Sequence, residues 1–290
     1  MFDHITYTVL TDTTENVKVM KPFETSIEEK VGETDAQIID RMRSRFSVLE
    51  DMTKAVKKGH VRSMIVSGPP GVGKSFGVEA VLGKNKLMAE LASDESLKKY
   101  DIVKGSMTAL GLYAKLYEYR HTKNVLVFDD CDSLFFDIIC MNLLKAALDS
   151  SKTRRINWLA DSNMLRKEDI PNSFDFHGGI IFITNLDFER VSPKLKPHVE
   201  ALESRSHYLD LTIKTEREKM LRIRQIIMDG MLDEYDLTDD QKDGIINYVD
   251  DNKKRLRELS LRTILKVAGL VVSFPDKWQD MAEMTMIKKH

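Results

Sequence analysis

Hydrophobic residues recur at helical spacing in the first strongly patterned segment of the chain. Apolar side chains lie three or four positions apart at Ile38, Ile39, Met42, Phe46, Leu49 and Met52. This period is typical of a helix with one buried face. Thr34 or Asp35 is a suitable N-cap, and Gly59 follows the expected last turn. We therefore predict a helix that leads into a buried core.

Apolar runs alternate with helical patterns along the next part of the chain. The runs predict strands at residues 61–67, 100–103, 124–128, 179–184 and 207–213. The segments between them predict helices at residues 75–82, 111–120 and 134–148. Strands that are apolar throughout and alternate with helices are typical of a parallel sheet covered on both faces. The pattern predicts a doubly wound α/β domain.

The pattern changes at both ends of this domain. Beyond residue 213 it is helical only, with helices predicted at residues 216–228, 238–250 and 260–272. Before residue 34, short β-rich pieces alternate with polar residues, as in an arm or small hairpin. We predict an N-terminal arm at residues 1–33, an α/β domain at 34–213 and a helical domain at 214–290.

Composition adds limits on the partners and the compartment. Apolar residues make up 42% of the 290 residues, which is typical of a globular protein. The chain has 44 basic and 46 acidic side chains, so its net charge is −2. Nucleic-acid binding would therefore need a local basic patch. Cys131 and Cys140 form neither a disulfide framework nor a paired metal site, which favours the cytoplasm. No run approaches the ~20 apolar residues of a membrane span. We expect no export signal and no membrane partner.

A glycine-rich segment carries the strongest chemical signal in the chain. It fits G-x-x-x-x-G-K-[ST] and reads Gly68, Pro69, Pro70, Gly71, Val72, Gly73, Lys74 and Ser75. Such a loop turns its N–H groups toward phosphate oxygens, and the helix that follows adds its positive end. Lys74 would reach the β- and γ-phosphates, and Ser75 would ligate magnesium. Phe76 completes the predicted nucleotide-binding set, and the predicted strand and helix around the loop disfavour a chance glycine-rich turn.

Two carboxylates end the apolar strand predicted at residues 124–128. Asp129 is the expected magnesium-side acid, and Asp130 is the candidate that polarises the attacking water. A plain acidic turn, with Asp132 as a third acid, is the alternative. The nearby phosphate-binding sequence makes the catalytic interpretation the better one.

Taken with three later residues, these motifs resemble those of the AAA+ ATPases, over about residues 38–270. Walker A matches residues 68–75, and Walker B matches residues 125–130. Sensor 1, the arginine finger and sensor 2 are similar to Asn185, Arg205 and Arg262. Asn185 as a plain turn residue and the two arginines as ordinary surface groups are the alternatives. Arg190 and Arg217 are rival fingers.

The resemblance implies an ATP hydrolase that uses ATP and Mg²⁺. ATP would lie between the P-loop domain, a helical C-terminal lid and a neighbouring subunit of a homo-oligomer, most simply a hexamer. Compact chains of this kind resemble phage-encoded members, which would place the protein in the host cytoplasm. The family usually has Asp-Glu where this chain has Asp129 and Asp130. Hydrolysis is then either slow or uses a water held differently.

Three classes of function fit the resemblance. A DNA-directed remodeller is slightly favoured by Arg154, Arg155 and Trp158, in a hairpin predicted from residues 154–159 and 173–177. An ordinary hairpin with Trp158 in the core is an equal alternative. The segment 104–112 is the expected pore loop, but it lacks the aromatic grip of many protein unfoldases. A protein remodeller and a slowly hydrolysing ATP-dependent scaffold are the other two classes. A further basic run lies at residues 253–257, and its short length is typical of a solvated surface.

Overall fold

A computed structural model describes residues 32–83, 100–186, 188, 191–193 and 195–288. The predicted arm, apart from its last two residues, and the rival finger Arg190 lie outside the described residues. Within the described part, a central sheet has the strand order β2-β3-β6-β1-β7, and every pair in it is parallel. Its strands are β1 (Ser63–Ser67), β2 (Tyr100–Lys104), β3 (Val125–Asp129), β6 (Gly179–Thr184) and β7 (His207–Asp210). β4 (Arg155–Asn157) and β5 (Ser173–Asp175) form a separate antiparallel pair, as the predicted hairpin requires.

One helix precedes the first strand, and others lie between the strands and after the last one. They are α1 (Asp35–Lys58), α2 (Lys74–Gly83), α3 (Ala109–Glu118), α4 (Ile138–Ala147), α5 (Asn163–Lys167), α6 (Lys196–Glu203), α7 (Glu216–Ile226), α8 (Asp239–Asn252), α9 (Leu261–Ser273) and α10 (Trp278–Met286). None of the helices in these ranges is long and apolar enough to cross a membrane.

The sheet buries both of its faces. Alternate residues such as Ile65 and Phe182 pack with α3, α4 and α6, whereas Met64 and Ile183 pack with α1 and α2. Neighbouring residues of a strand point to opposite faces, so two apolar faces need strands that are apolar throughout. The predicted doubly wound α/β fold is confirmed.

The ends of α1 follow the sequence signals. The Thr34 side chain accepts from the Gln37 amide, and the Gln37 side chain accepts from the Thr34 amide, which is a capping box. Gly59 ends the helix with φ 78°, a conformation that glycine adopts without a Cβ penalty. Of the two predicted N-caps, Thr34 is the one used.

Two predicted boundaries are wrong. The helix predicted at residues 134–148 is split into a 3₁₀ turn, Asp132–Phe135, and α4, because the Asp137 carboxylate accepts from the Ile139 and Cys140 amides at 2.7 and 3.1 Å and starts a new helix. The last strand ends at Asp210 instead of residue 213, because the Asp210 carboxylate accepts from the Thr212 amide at 2.8 Å in a local turn.

The helices after the sheet have a hydrophobic cluster of their own. Its buried members include Ile223, Ile245, Val249, Ile264 and Val267, from α7, α8 and α9. The sequence did not predict α10, which packs on this cluster through Trp278 and Met286. A charged contact joins this part to α1, since Arg41 Nη2 lies 2.7 Å from Glu218 Oε1.

Candidate nucleotide-binding site

The glycine-rich loop joins the buried strand β1 to α2, as predicted. Gly71 and Gly73 have φ values of 71° and 102°, which side-chain-bearing residues rarely adopt. A Cβ on Gly71 would lie 2.5 Å from Ser260 Cβ, so the loop and the segment before α9 approach too closely for any other residue. The loop is therefore fixed both by its own backbone and by the C-terminal helices.

Lys74 is buried at the centre of the loop. Its Nζ donates to the carbonyl oxygens of Gly68 and Pro69 at 2.7 and 2.9 Å and to Asn185 Oδ1 at 2.7 Å. Burial lowers the pKa of Lys74 to about 8, although the charges of Asp130 and Asp129 act in the opposite direction. A cation surrounded by neutral oxygens in a buried position is suited to receive anionic oxygens.

Ser75 and Asp129 form the second element of the site. Ser75 Oγ donates to Asp129 Oδ1 at 2.9 Å, and the Asp129 side chain is buried. A hydroxyl and a carboxylate are the hard oxygen ligands that Mg²⁺ takes beside phosphate oxygens, so the pair fits that ion. The Lys104 ammonium lies 3.3 Å from Asp129 Oδ2 and 3.0 Å from Glu79 Oε1. Lys104 is the last residue of β2. The first residue of the predicted pore-loop segment, 104–112, is therefore part of the sheet and is held by two carboxylates.

Asp130 and Asn185 lie side by side at the carboxyl ends of β3 and β6. Asn185 Nδ2 donates to Asp130 Oδ1 at 2.9 Å, so one amide joins Asp130 to Lys74. Asp130 has φ 53°, and its N–H donates to the Ile183 carbonyl oxygen at 3.0 Å. Asp130 is thus an exposed carboxylate held in a left-handed backbone conformation at a strand end.

Asp132, the third acid of the run, faces the sheet. Thr184 Oγ1 donates to its Oδ1 at 2.6 Å, and burial raises the pKa of Asp132 despite that bond. It braces the end of β6, where Asn185 follows directly.

Arg262 approaches the loop from the C-terminal helices. It is the second residue of α9, whose first residue, Leu261, donates its N–H to the Gly71 carbonyl oxygen at 2.9 Å. The Arg262 charge reaches the Lys74 ammonium, where it assists the larger effect of burial in lowering the pKa of Lys74. Two cations from distant parts of the chain thus lie near one glycine-rich loop.

Val72 and Phe76 differ in their surroundings. Val72 is buried in a small cluster with Ile38, Met42 and Leu221. Phe76, in contrast, is 70% exposed in the first turn of α2. The predicted set therefore contains one residue that packs the base of the site and one that faces outward.

Sequence reasoning missed two groups beside the loop. Arg222 of α7 is 6% exposed, its guanidinium stacks 3.5 Å from the centre of the Phe46 ring, and its Nε has no hydrogen-bond partner in the described structure. Burial lowers the pKa of Arg222 to about 10. Glu258 Oε1 is likewise buried without a described partner and faces Gly71. Neither residue belongs to a recognisable sequence motif. The position of Arg222 between Leu221 and Ile223, on an apolar helix face, is only a weak sequence signal of a buried arginine.

Arg205 lies at the opposite end of the sheet from the loop. It follows α6 and precedes β7, and the adjacent Ser206 hydroxyl bonds to that of Ser63 at the start of β1. The loop begins with Gly68 at the far end of β1, five residue steps from Ser63, which is about 16 Å at ~3.3 Å per residue. Of the rival fingers, Arg217 is held in its own chain, since its Nε donates to Asp35 Oδ1 at 2.8 Å.

The three residues that favoured DNA all make contacts within the chain. Arg154 is buried and donates to the carbonyl oxygens of Ala147 and Gly178 at 2.9 and 3.2 Å. Arg155 pairs with Asp175, and the Trp158 ring packs 5.7 Å from that of Tyr113. The prediction of a nucleic-acid contact here is wrong for Arg154, because the fold uses its guanidinium to satisfy backbone carbonyls.

The basic run at 253–257 is also engaged by contacts among the C-terminal helices. Lys253 pairs with Asp250, and Arg255 pairs with Glu283. These contacts agree with the alternative of an ordinary charged surface.

Comparison with solved structures finds distant likenesses. Domain III of the replication initiation protein DnaA from Thermotoga maritima has a TM-score of 0.49 and 12% identity, over 84% of this chain and 92% of that chain. A DNA replication initiation factor has a TM-score of 0.46 and 15% identity, over 83% of this chain and 64% of that one. Drosophila ORC bound to DNA has a TM-score of 0.39 and 12% identity, over 93% of this chain and 67% of that one.

Comparison of sequences finds a much nearer relative. No protein-family model matches the chain. An uncharacterized 36.7 kDa protein in the nrdC–mobD intergenic region of Enterobacteria phage T4 is 36% identical over 258 residues, which is 88% of this chain and 77% of the phage protein. The chain belongs to the same family as this phage T4 protein.

Proposed function

We propose that the protein is an AAA+ ATPase that binds ATP with Mg²⁺ and hydrolyses it between subunits of a homo-oligomer. The observation that carries the proposal is the convergence of Lys74, Asp129, Asp130, Asn185 and Arg262 on the loop between β1 and α2. These residues come from separate parts of the chain, so a chance glycine-rich turn does not account for them. We retain residues 34–213 as the ATPase domain and 214–290 as its lid.

Each side chain has a chemical task in this proposal. The Lys74 ammonium would exchange the Gly68 and Pro69 carbonyls for β- and γ-phosphate oxygens. Ser75 and Asp129 would hold Mg²⁺, which when bound neutralises charge on the phosphates. Asp130 would accept a proton from the attacking water or align it, while Asn185 fixes the carboxylate. Arg262 would bring the lid's positive charge to the γ-phosphate.

Arg205 would act on a neighbouring subunit. It lies at the amino end of the strands, whereas the loop lies at their carboxyl end, so it does not serve the site of its own chain. An arginine donated in this way is worth about 10³ to 10⁵ in rate in other phosphoryl-transfer enzymes. A closed ring, most simply of six subunits, would give every site such a donor.

A second candidate function is an ATP-bound scaffold with very slow turnover. It is favoured by Asp130, which is one methylene shorter than the usual glutamate and already bonded to Asn185. Turnover separates the two, since a scaffold would assemble with ATP and hydrolyse almost none. Stimulation of turnover by single-stranded DNA, double-stranded DNA or unfolded protein would then identify the macromolecular substrate of a motor.

Mixing two inactive variants tests the proposal. A Lys74→Ala subunit still donates Arg205, and an Arg205→Ala subunit still has an intact loop. Each variant alone should hydrolyse ATP poorly, and mixtures should regain part of the wild-type rate. If the two variants form mixed assemblies and no activity returns, Arg205 does not act between subunits and the proposal of a shared site is wrong.

A further inference from the structure

Arg205 is not alone at the amino end of the sheet. Arg62 directly precedes β1, and the bond between the Ser63 and Ser206 hydroxyls places Arg62 beside Arg205. Both guanidinium groups line one cleft of about 350 Å³, together with Leu148, Ser150 and Ser204. The sequence motifs do not include Arg62.

The two arginines are short of acceptors. Arg62 Nη1 donates to the Asp149 carbonyl oxygen, and Arg205 Nη1 donates to the Ala201 carbonyl oxygen at 2.7 Å and to Ser204 Oγ at 3.4 Å. A guanidinium has five N–H donors, so most of those in the cleft have no protein acceptor within the described ranges. Neither group pairs directly with a carboxylate of the described chain.

The charges in the cleft do not cancel. Hydrogen bonds from Ser151 lower the pKa of the Asp149 carboxyl, and the charges of Arg205 and Arg62 lower it further, so this one carboxylate lies near both cations. Arg62 also lies near enough to the buried Arg154 to add to the effect of burial in lowering its pKa. Like charges held close together repel, and an anion with several oxygens would relieve that repulsion.

We infer that Arg62 acts together with Arg205 as a second cation donated to the triphosphate that a neighbouring copy of this chain binds at its Lys74 loop. Both arginines lie at the amino end of β1, about 16 Å or more from the loop of their own chain, since Ser63 and Gly68 are five residue steps apart at ~3.3 Å per residue. Two guanidinium forks and the Ser150 hydroxyl can contact several phosphate oxygens at once, whereas the Ser204 hydroxyl donates to the Ala201 carbonyl oxygen at 3.0 Å. A nucleic-acid backbone would instead require cations repeated along a surface, whereas these two face a single cleft.

This inference rests on the proposed function and is tested by variants of the full chain. At concentrations where the chain is monomeric, Arg62→Ala should bind ATP as tightly as the wild type, because the change is remote from its own loop. With a non-hydrolysable ATP analogue, its self-association measured by sedimentation should weaken about tenfold or more, the usual effect of losing a charge-assisted hydrogen bond. Turnover should fall by a similar factor. Arg166→Ala, which removes an exposed arginine paired with Asp161, should assemble and turn over like the wild type.

Mixing variants in pairs shows whether Arg62 acts on the nucleotide of its own subunit or on that of a neighbouring subunit. Arg62→Ala mixed with Lys74→Ala should regain activity, because one subunit keeps its loop and the other donates both arginines. Arg62→Ala mixed with Arg205→Ala should regain none, because every donor then lacks one of the two cations. Recovery in the second mixture would overturn the inference, since the arginines would then serve different sites.

Other outcomes separate this inference from the ATPase proposal. If Arg62→Ala assembles and hydrolyses ATP like the wild type while Arg205→Ala does not, the inference fails and the ATPase proposal stands. Loss of DNA binding by Arg62→Ala with unchanged ATP-dependent assembly would also overturn it, in favour of a nucleic-acid contact. Arg62→Lys keeps the charge and should retain more assembly than Arg62→Ala at an equal melting temperature; equal loss in both would indicate a merely structural role.

Discussion

Asn185 donates from Nδ2 to Asp130 Oδ1 at 2.9 Å and accepts through Oδ1 from the Lys74 ammonium at 2.7 Å. A single amide therefore sets the position of the carboxylate relative to the cation. In the proposed ATPase, Asp130 would act on the attacking water through its basic oxygen, and its charge alone would not suffice.

Asp130→Asn should retain ATP binding and lose nearly all turnover. The amide keeps the shape of the side chain but loses the basic oxygen that acts on water. Equilibrium binding of a labelled nucleotide and steady-state phosphate release measure the two effects separately.

Asp130→Glu is the matched variant, since it keeps the carboxylate and lengthens the side chain. An increased rate would show that reach limits the wild-type enzyme. Wild-type turnover in Asp130→Asn would contradict the role given to this residue.

Gly71→Ala should separate the C-terminal helices from the loop. A Cβ there would lie 2.5 Å from Ser260 Cβ in a backbone with φ 71°. We expect weaker ATP binding and a free energy of unfolding lower by about 1–3 kcal/mol. Thermal unfolding and nucleotide titration measure these effects.

Gly105→Ala is the control that distinguishes the effect of the Ser260 contact from the effect of backbone strain. Gly105 has φ 98° and nothing within 4 Å of an added Cβ among the described residues. It should show the cost of the backbone alone, about 1 kcal/mol, with ATP binding unchanged. Equal effects of the two changes on ATP binding would show that the contact with Ser260 is unimportant.

Glu218→Gln should reduce stability in a pH-dependent way. Burial tends to raise the pKa of Glu218, but hydrogen bonds from Arg41 and from the Lys214 and Thr215 amides outweigh it, and the pKa is lowered. A lowered carboxyl pKa stabilises the fold above the usual value of about 4.3 and ceases to do so as the pH falls through the folded-state pKa. The variant should lose about 2 kcal/mol at pH 7 and much less near pH 3.

Glu200→Gln is the control for this prediction. Glu200 lies 3.9 Å from Lys196 in an exposed pair, which should contribute at most about 0.5 kcal/mol. Denaturant unfolding at both pH values gives the comparison. A deficit for Glu218→Gln that is the same at pH 3 and pH 7 would mean that its charge is not what stabilises the contact with α1.

The fold was largely predictable because its strands are buried on both faces. Strand β6 is apolar at nearly every position, and only a covered parallel sheet needs such a sequence. The boundary at Asp137 was missed because a side-chain cap inside an apolar run gives no change in periodicity. Helix α10 was missed because Ala282 is its one buried residue in the described structure, so packing on α9 determines it more than its pattern does.

The motif residues of the site were predictable, and their partners were not. The loop and the acid pair are contiguous in sequence, so spacing alone identifies them. Lys74 and Asn185, in contrast, are 111 residues apart, and their contact depends on β1 lying beside β6. For Arg154 the sequence predicted the wrong environment. Its sequence neighbours suggest a surface contact, whereas its guanidinium is buried and donates to the carbonyl oxygens of residues 147 and 178.

The most direct test of the account is Mg²⁺-dependent ATP hydrolysis by the wild type and by Lys74→Ala, with Lys54→Ala, an exposed lysine paired with Asp51, as the control. Lys74 is the only loop side chain placed to neutralise the β- and γ-phosphates, so its removal should lower turnover by about 10²-fold or more and weaken ATP binding, while Lys54→Ala matches the wild type. Undiminished hydrolysis by Lys74→Ala would contradict the assignment of this loop as the nucleotide site.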